Sequence, residues 1–432
     1  MKKLLKLVRE KKSLPKSRRK EKSRSKGNEG SSRGALKKNV FPRSSQKIQK
    51  TPRFSPSARE ATASAPGKIL WIGGYSVLEK GYCSLVTAVD KRVFAVARAY
   101  KQIILSSPQY GFQVPASFDR QTGKLVLGQD VPAAKFVAKG VEIALSYLSA
   151  KKVSLKKIFL ETRGDEAFGV GGGKSGLGSS AAATSACVAC VLAFHGVHPS
   201  PKLVNNLSQI AHSLAQGKVG SGFDVAAACF GSISYSRYSP ELVSSLGSSP
   251  SPWQIARLAD SEWDYSVEKI SLPPEMRVVF TNVEGTSAST TEMVKKVFGW
   301  KKAHPLQYAS LVEELDGANQ RAIICLKKRD WTGFQNNFFR GRALTKKLGF
   351  LSGAQVEPPL LSELVDDSLR NGAFVCKLPG AGGGDSVAAL CLSEFGEKKL
   401  KQFWSNYPRV RLRTINLKPS AEGVRVGDKA VF

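Results

Sequence analysis

The segment Gly169-Val-Gly-Gly-Gly-Lys-Ser-Gly-Leu-Gly-Ser-Ser-Ala-Ala182 constrains this chain more than any other. Its glycines let backbone N–H groups turn toward one centre, because no Cβ stands in the way. A run of small and apolar residues from Ser180 to Phe194 follows and predicts a helix with Ser179 or Ser180 at its mouth. The unpaired N–H groups and dipole of such a helix start attract phosphate. A Ser hydroxyl there can cap the helix or reach a phosphate-bound Mg²⁺. The pattern is not a Walker A loop. Gly173-Lys174-Ser175 matches the end of one, but Phe168 stands where its first Gly belongs, and the apolar helix begins after Ser180 rather than Ser175. A flexible loop ending in an ordinary helix cap has the same composition, so the reading depends on the other loops.

Two of these supply charge. Pro66-Gly-Lys-Ile-Leu-Trp-Ile-Gly-Gly-Tyr75 puts Lys68 at the start of a buried strand. Gly217-Lys-Val-Gly-Ser-Gly-Phe-Asp224 places a carboxylate after a compact Gly-Ser-Gly turn. Phosphoryl transfer needs cations around the transferred group and a group that positions the attacking oxygen. Lys68, Lys218 and Asp224 are residues of those types, although each alone also reads as a surface Lys or a helix-capping Asp.

Around these loops the pattern alternates between strands and helices. Strands are predicted at 68–72, 75–78, 85–89 and 93–99, with further strand and hairpin in 101–127. A helix starts at Pro132, a strand covers 154–161, helices cover 180–194 and 201–215, and 223–230 is a short helical or apolar run. A strand at 231–235 precedes the polar stretch 239–275, which holds a domain joint near Pro250 to Pro252. The second half reads as a strand at 276–281, helices near 288–300, 304–327, 330–346 and 356–370, a strand at 372–378, a helix beginning at Val387 to Leu392, and a last strand at 410–417. Mixed elements in both halves predict an α+β protein of two packed domains, 61–250 and 251–432, behind an extension at 1–60.

That extension holds 21 Lys+Arg against 4 Glu, more than half of the chain's net charge of +32. It has too few large apolar residues to offset the entropy of ordering and is predicted to be disordered. It reads as an organelle-targeting segment, as a binder of nucleic acid or another anionic surface, or as an extension without a sharp role. The 7 cysteines are few and odd in number, which argues against a disulfide framework, and a single close pair, Cys187 and Cys190, is too little for structural zinc. That pair is expected in the core. His195 and His198 are expected at the surface or capping a helix C-terminus. No apolar run reaches membrane-spanning length.

Taken together, the segments resemble the GHMP-type family of small-molecule kinases, which includes galactokinases, homoserine kinases, mevalonate kinases and phosphomevalonate kinases. Three motifs carry the resemblance: Ala65-Pro-Gly-Lys68 through Gly73-Gly-Tyr75 and Leu78-Glu79; Lys174-Ser-Gly-Leu-Gly-Ser-Ser-Ala-Ala182; and Pro379-Gly-Ala-Gly-Gly-Gly-Asp385. It covers residues 61–432. Gly73-Gly74-Tyr75 stands where mevalonate kinases usually have Gly-Glu-His, and Ala215 to Asp224 lacks their His-Gly and Pro-Ser-Gly. Both features look like the fungal and plant phosphomevalonate kinases, as does Gly285 to Thr290 ahead of Met293-Val-Lys-Lys296.

The resemblance implies an N-terminal domain like the second domain of ribosomal protein S5, a ferredoxin-like C-terminal domain, and a site between them. It implies ATP and Mg²⁺ as cofactors and a small anionic metabolite as partner. The implied reaction turns 5-phosphomevalonate into 5-diphosphomevalonate, on the mevalonate route to isoprenoids. Lys174, Gly176, Leu177, Gly178, Ser179, Ser180 and Ala181 would hold ATP, with Ser180 near the metal. Asp224 would orient the acceptor or take its proton, with Lys68 beside it. Lys218, Ser221, Ser287, Thr290, Gly382 and Gly383 would contact the acceptor. One departure concerns the metal: mevalonate kinases carry a Glu ligand a few turns before the catalytic Asp, and that place is Ser213 here, beside His212. Either phosphates, water and Ser180 hold Mg²⁺, or Glu79 or Asp385 joins them. A monomer or homodimer in the cytoplasm is expected, with organelle import through residues 1–60 left open. The rivals are another member of the family, such as mevalonate kinase or the related decarboxylase, and a basic nucleic-acid-binding protein with a degenerate kinase body. The basic extension favours the last; Ser180, Asp224 and Gly380 to Gly384 count against it.

Overall fold

The first strand is longer than its apolar centre suggests. In the computed structural model, which describes residues 59–169, 176–217, 220–285 and 290–427, β1 (Glu60–Ile72) pairs antiparallel along its length with β2 (Cys83–Ala99). The expectation for residues 1–58 lies outside the described residues. Next come β3 (Ile103–Ser107), β4 (Phe112–Phe118), β5 (Leu125–Leu127), α1 (Lys135–Ala150) and β6 (Ile158–Gly164). They extend the sheet in the order β1-β2-β6-β3-β4-β5, where only β3 and β6 run parallel. Three helices, α1, α2 (Ser179–Phe194) and α3 (Pro201–Gln216), pack on one another, and α2 lies against β1 and β2. α2 is apolar all round, which suits a helix buried on every side. Its small residues allow close packing: a Cβ on Gly140 of α1 would stand 3.2 Å from the carbonyl of Thr184.

The remaining elements of this half are α4 (Phe223–Phe230), β7 (Ile233–Ser236), α5 (Glu241–Ser244), α6 (Pro252–Asp260) and β8 (Ser266–Lys269). β7 pairs with β2, and β8 pairs with β7.

The second sheet is built from β9 (Arg277–Val283), β10 (Val375–Lys377), β11 (Ser386–Cys391) and β12 (Leu412–Ile415). Its order is β10-β11-β9-β12, antiparallel throughout, which is the ferredoxin-like arrangement. Between β9 and β10 the chain forms α7 (Thr290–Ala303), α8 (Pro305–Lys328), α9 (Trp331–Ser352) and α10 (Pro359–Arg370); α11 (Glu394–Ser405) follows β11. α10 and α11 cover one face through Leu361, Leu364, Leu400 and Trp404. The other face, with Phe280, Val375 and Leu390, joins the core of the first half. Two short strands then return: β13 (Pro419–Ser420) pairs with β2 and β14 (Arg425–Val426) with β1. The first sheet therefore draws β8, β13 and β14 from beyond residue 250.

Two local expectations are corrected. Tyr75 to Leu78 does not resume a strand. Gly73 and Gly74 take positive φ (124° and 46°), the chain turns, and Ser76–Leu78 forms a single 3₁₀ turn, with Ser76 Oγ donating to the Gly73 carbonyl at 2.6 Å. Val387 to Leu392 does not begin a helix. Its residues Val387 to Cys391 lie in β11, hydrogen-bonded to β10 on one side and β9 on the other. Both faces of β11 are buried, so the alternation that marks a half-exposed strand is missing. Cys187 and Cys190 are buried in α2 as expected, and His195 caps that helix, but its ring is buried rather than at the surface. Among the described residues no helix is long and apolar enough to cross a membrane.

Candidate active site

The site starts at a break in strand pairing. The register between β1 and β2 shifts between Pro66 and Lys68, and the Lys68 N–H turns to the carbonyl of Leu177 (2.9 Å). The Lys68 side chain then runs beneath the glycine-rich loop, and its Nζ donates to the Gly176 carbonyl at 3.0 Å. Two glycines make this possible. Gly178 has φ of 78°, and a Cβ there would stand 2.8 Å from Lys68 Cε. Gly176 has φ of 71°, and its Cβ would meet Ser386 Oγ at 2.5 Å. Side chains other than glycine rarely tolerate either backbone or either contact. Leu177, fully buried, anchors the loop between them.

Burial lowers the pKa of the Lys68 ammonium from its usual value; the negative charges of Asp224 and Asp385 partly offset that. The Phe223 ring lies 5.5 Å from its Nζ. A cation held this way is poorly solvated and responds strongly to an incoming anion.

α2 begins at Ser179, directly after Gly178, and no side chain caps it. The N–H groups of Ser179, Ser180 and Ala181 are therefore those that a helix start leaves without intrahelical partners. Ser180 Oγ lies 3.1 Å from His212 Nε2 on α3. The same nitrogen lies 3.9 Å from an oxygen of Asp224, in the first turn of α4. His212 is buried against the ring of Phe136, and burial lowers its pKa, against the pull of Asp224 and with the push of Lys68. α3 also fixes the loop before α4: Gln209 Nε2 donates to the Gly222 carbonyl at 2.8 Å.

Lys68, Ser180 and Asp224, expected from the sequence, thus stand around one point. His212 at their centre was not assigned a role. The signal was present, because it adjoins the place where the family's metal-binding Glu is missing. Ser221 is buried beside them, its carbonyl accepting from Tyr235 Oη at 3.3 Å. The neighbouring carbonyl of Gly220 accepts from Arg237 Nη2 at 2.8 Å, which pins this turn. Lys174, Lys218 and Ser287 lie outside the described residues; Thr290 opens α7, and its side chain is likewise outside them.

The loop from Pro379 to Asp385 closes from the other half. Tyr75 Oη donates to the Ala381 carbonyl at 2.9 Å, tying this loop to the turn after β1. The amides of Gly382 and Gly383 are already used: Gly382 donates to Pro379 (3.3 Å) and Gly383 to Val356 (2.7 Å). These two glycines therefore shape the wall of the site and offer no free N–H to a ligand.

For a metal, the described residues contain no cluster of three or more His, Cys, Asp or Glu side chains. Ser180 and Asp224 do present hard oxygen atoms around one point, which suits Mg²⁺ taking its other ligands from phosphates and water. Glu79 is engaged elsewhere, with Lys301 Nζ and Tyr308 Oη both at 2.7 Å.

Residues 144–232 match the family model of the GHMP kinases N-terminal domain, and 322–409 that of the GHMP kinases C-terminal domain. A phosphomevalonate kinase of Saccharolobus solfataricus is 30% identical over 340 residues, covering 76% of this chain and 89% of that one. This chain belongs to the GHMP kinases. A second relative within that family, phosphomevalonate kinase of Gibberella zeae, is 29% identical over 430 residues and covers 84% of this chain and 95% of its own. Among solved structures, Streptococcus pneumoniae phosphomevalonate kinase in complex with phosphomevalonate and AMPPNP shares the GHMP kinase fold, with a TM-score of 0.69 at 18% identity, covering 83% of this chain and 99% of that one.

Proposed function

We propose that this GHMP kinase transfers the terminal phosphoryl group of ATP to 5-phosphomevalonate, giving ADP and 5-diphosphomevalonate on the mevalonate route to isoprenoids. The observation that carries the reading is the placement of Lys68, beneath the Gly176 to Gly178 turn and within the field of Asp224. Phosphomevalonate kinases at 29% and 30% identity over most of the chain support the choice of acceptor.

The uncapped start of α2 receives the nucleotide phosphates, through the amides of Ser179, Ser180 and Ala181. Ser180 and Asp224 oxygens would hold Mg²⁺ together with phosphate and water, and the ion would supply charge neutralisation there. His212 holds the Ser180 hydroxyl in place at the mouth of α2, between that hydroxyl and Asp224. The attacking atom is a phosphate oxygen of the acceptor, already largely ionised near neutral pH, so little is left for a base to remove. Asp224 therefore orients the acceptor more than it takes a proton. The new P–O bond forms to that oxygen as the bond from the terminal phosphorus to the bridging oxygen breaks, and ADP leaves with the electron pair.

Two anions must meet, and their repulsion is screened by Lys68 and Lys218. Gly74 helps by omission, since a Glu there, as in mevalonate kinases, would add negative charge. A coupled ADP-release assay on the full chain tests the reading with phosphomevalonate, mevalonate, homoserine and galactose as acceptors. Turnover with phosphomevalonate far above the others is expected. Turnover with another acceptor and none with phosphomevalonate would overturn it.

A further inference from the structure

A small cleft, with a cavity volume of about 50 Å³, runs from the turn after β1 to α8 and α9, lined by Trp71, Gly74, Arg342, Thr345, Lys346 and Lys377 among others. Three of these residues are cations, and they are not equivalent. Arg342 is neutralised twice, by Glu357 (2.5 Å) and Asp366 (2.6 Å). Lys346 lies 3.2 Å from the same Glu357 and donates to Ser362 Oγ at 2.6 Å. Lys377 has neither a carboxylate within ion-pair distance nor a side-chain hydrogen bond among the described residues.

Strand geometry says where Lys377 points. Successive side chains of β10 alternate between faces. Cys376 packs under α10 and α11, whereas Val375 packs in the core shared with the first half. Lys377 shares the face of Val375 and ends the strand just before the Pro379 loop. Burial brings its ammonium down to about 8; Lys68 acts in the same direction, and Glu357 opposes them. Arg342, Lys346 and Glu357 are the other charged residues that line the cleft, and Lys68 acts on Lys377 from outside that lining.

An acceptor with two anionic ends needs two cationic places. This step rests on the function proposed above. With the reacting phosphate beside Lys68 and Asp224, the carboxylate at the other end of the short carbon chain must lie elsewhere. We infer that Lys377 binds that carboxylate, making the cleft between β1 and α9 the subsite that reads the far end of the acceptor. The paired Arg342 and Lys346 hold the wall, while the unpaired Lys377 gains a partner only when the acceptor arrives. A carboxylate taking up that ammonium forms a charge-assisted hydrogen bond, the strong kind.

The test compares phosphomevalonate with an analogue whose carboxylate is reduced to a primary alcohol, using the wild-type chain, K377Q and K377R in steady-state ADP release. K377Q is expected to raise KM for phosphomevalonate about 100-fold, the size of a hydrogen bond to a charged group, with kcat little changed. On the alcohol analogue, K377Q and wild type should have equal KM. K377R should recover most of the loss. Lys377 loses its proton as pH rises through about 8, so the wild-type KM for phosphomevalonate should climb over that range. The K377R profile should stay flat. Equal losses on both acceptors would assign Lys377 to the fold, and an unchanged KM would put the carboxylate elsewhere; either overturns the inference alone. A wild-type chain that releases no ADP with phosphomevalonate overturns the underlying function as well.

Discussion

Two glycine-rich loops meet at this site, and they do opposite things. The one ending at Gly178 opens onto the uncapped start of α2 and leaves amides free. The one from Pro379 to Asp385 runs into a central strand, and it spends the amides of Gly382 and Gly383 inside the protein. Both look alike in composition. Where the amides go decides the use of the glycines: a helix start has donors to give, whereas Gly382 and Gly383 give theirs to the Pro379 and Val356 carbonyls. The first loop is expected to act through charge and hydrogen bonds, the second through shape.

The chemical side should show the largest effect at Asp224. D224N is expected to lower kcat about 1000-fold while leaving activity above background, the scale of removing one preorganised electrostatic group. A variant as active as wild type in steady-state ADP release would remove Asp224 from the mechanism. G178A should follow, with about a 100-fold loss, because its methyl group would displace Lys68 by a fraction of its own size. The clash is with the movable end of a side chain, so its circular dichroism should match wild type, but the φ of 78° should cost about 1 kcal/mol of stability, read as a lower denaturation midpoint. The second loop should behave in the reverse way. A Cβ on Gly382 would stand 2.2 Å from the Val356 carbonyl, at a φ of 79°. G382A is therefore expected to cost about 2 kcal/mol of stability, read as a lower denaturation midpoint. If G382A instead keeps full stability but loses catalysis, the two loops are more alike than their hydrogen bonds suggest. The mildest test is Y75F, which deletes the bond to Ala381 and should cost about 1 kcal/mol, without changing kcat more than a few-fold.

What could be read ahead of the structure was local. Lys68, Ser180 and Asp224 sit in short motifs whose backbone needs are written in neighbouring glycines. His212 belongs to no motif; only the packing of α2 on α3 brings it to Ser180. Lys377 is one lysine in a strand three residues long, and its lack of a partner depends on Glu357 being taken by Arg342 and Lys346. β11 looked helical because its apolar run lacks alternation, and only hydrogen bonding on both edges shows the difference. Most helices were legible from their length and periodicity.

The return of β14 to β1 gives the molecule a seam. Ala63 sits opposite Val426, and Arg92 reaches from β2 to the Gly423 carbonyl. During synthesis that edge of β1 stays bare until β14 has been made, so the half that holds Lys68 is sealed only after the strands of the second sheet are complete. Clipping a dozen residues ahead of that point would unlace a strand that leads straight to Lys68.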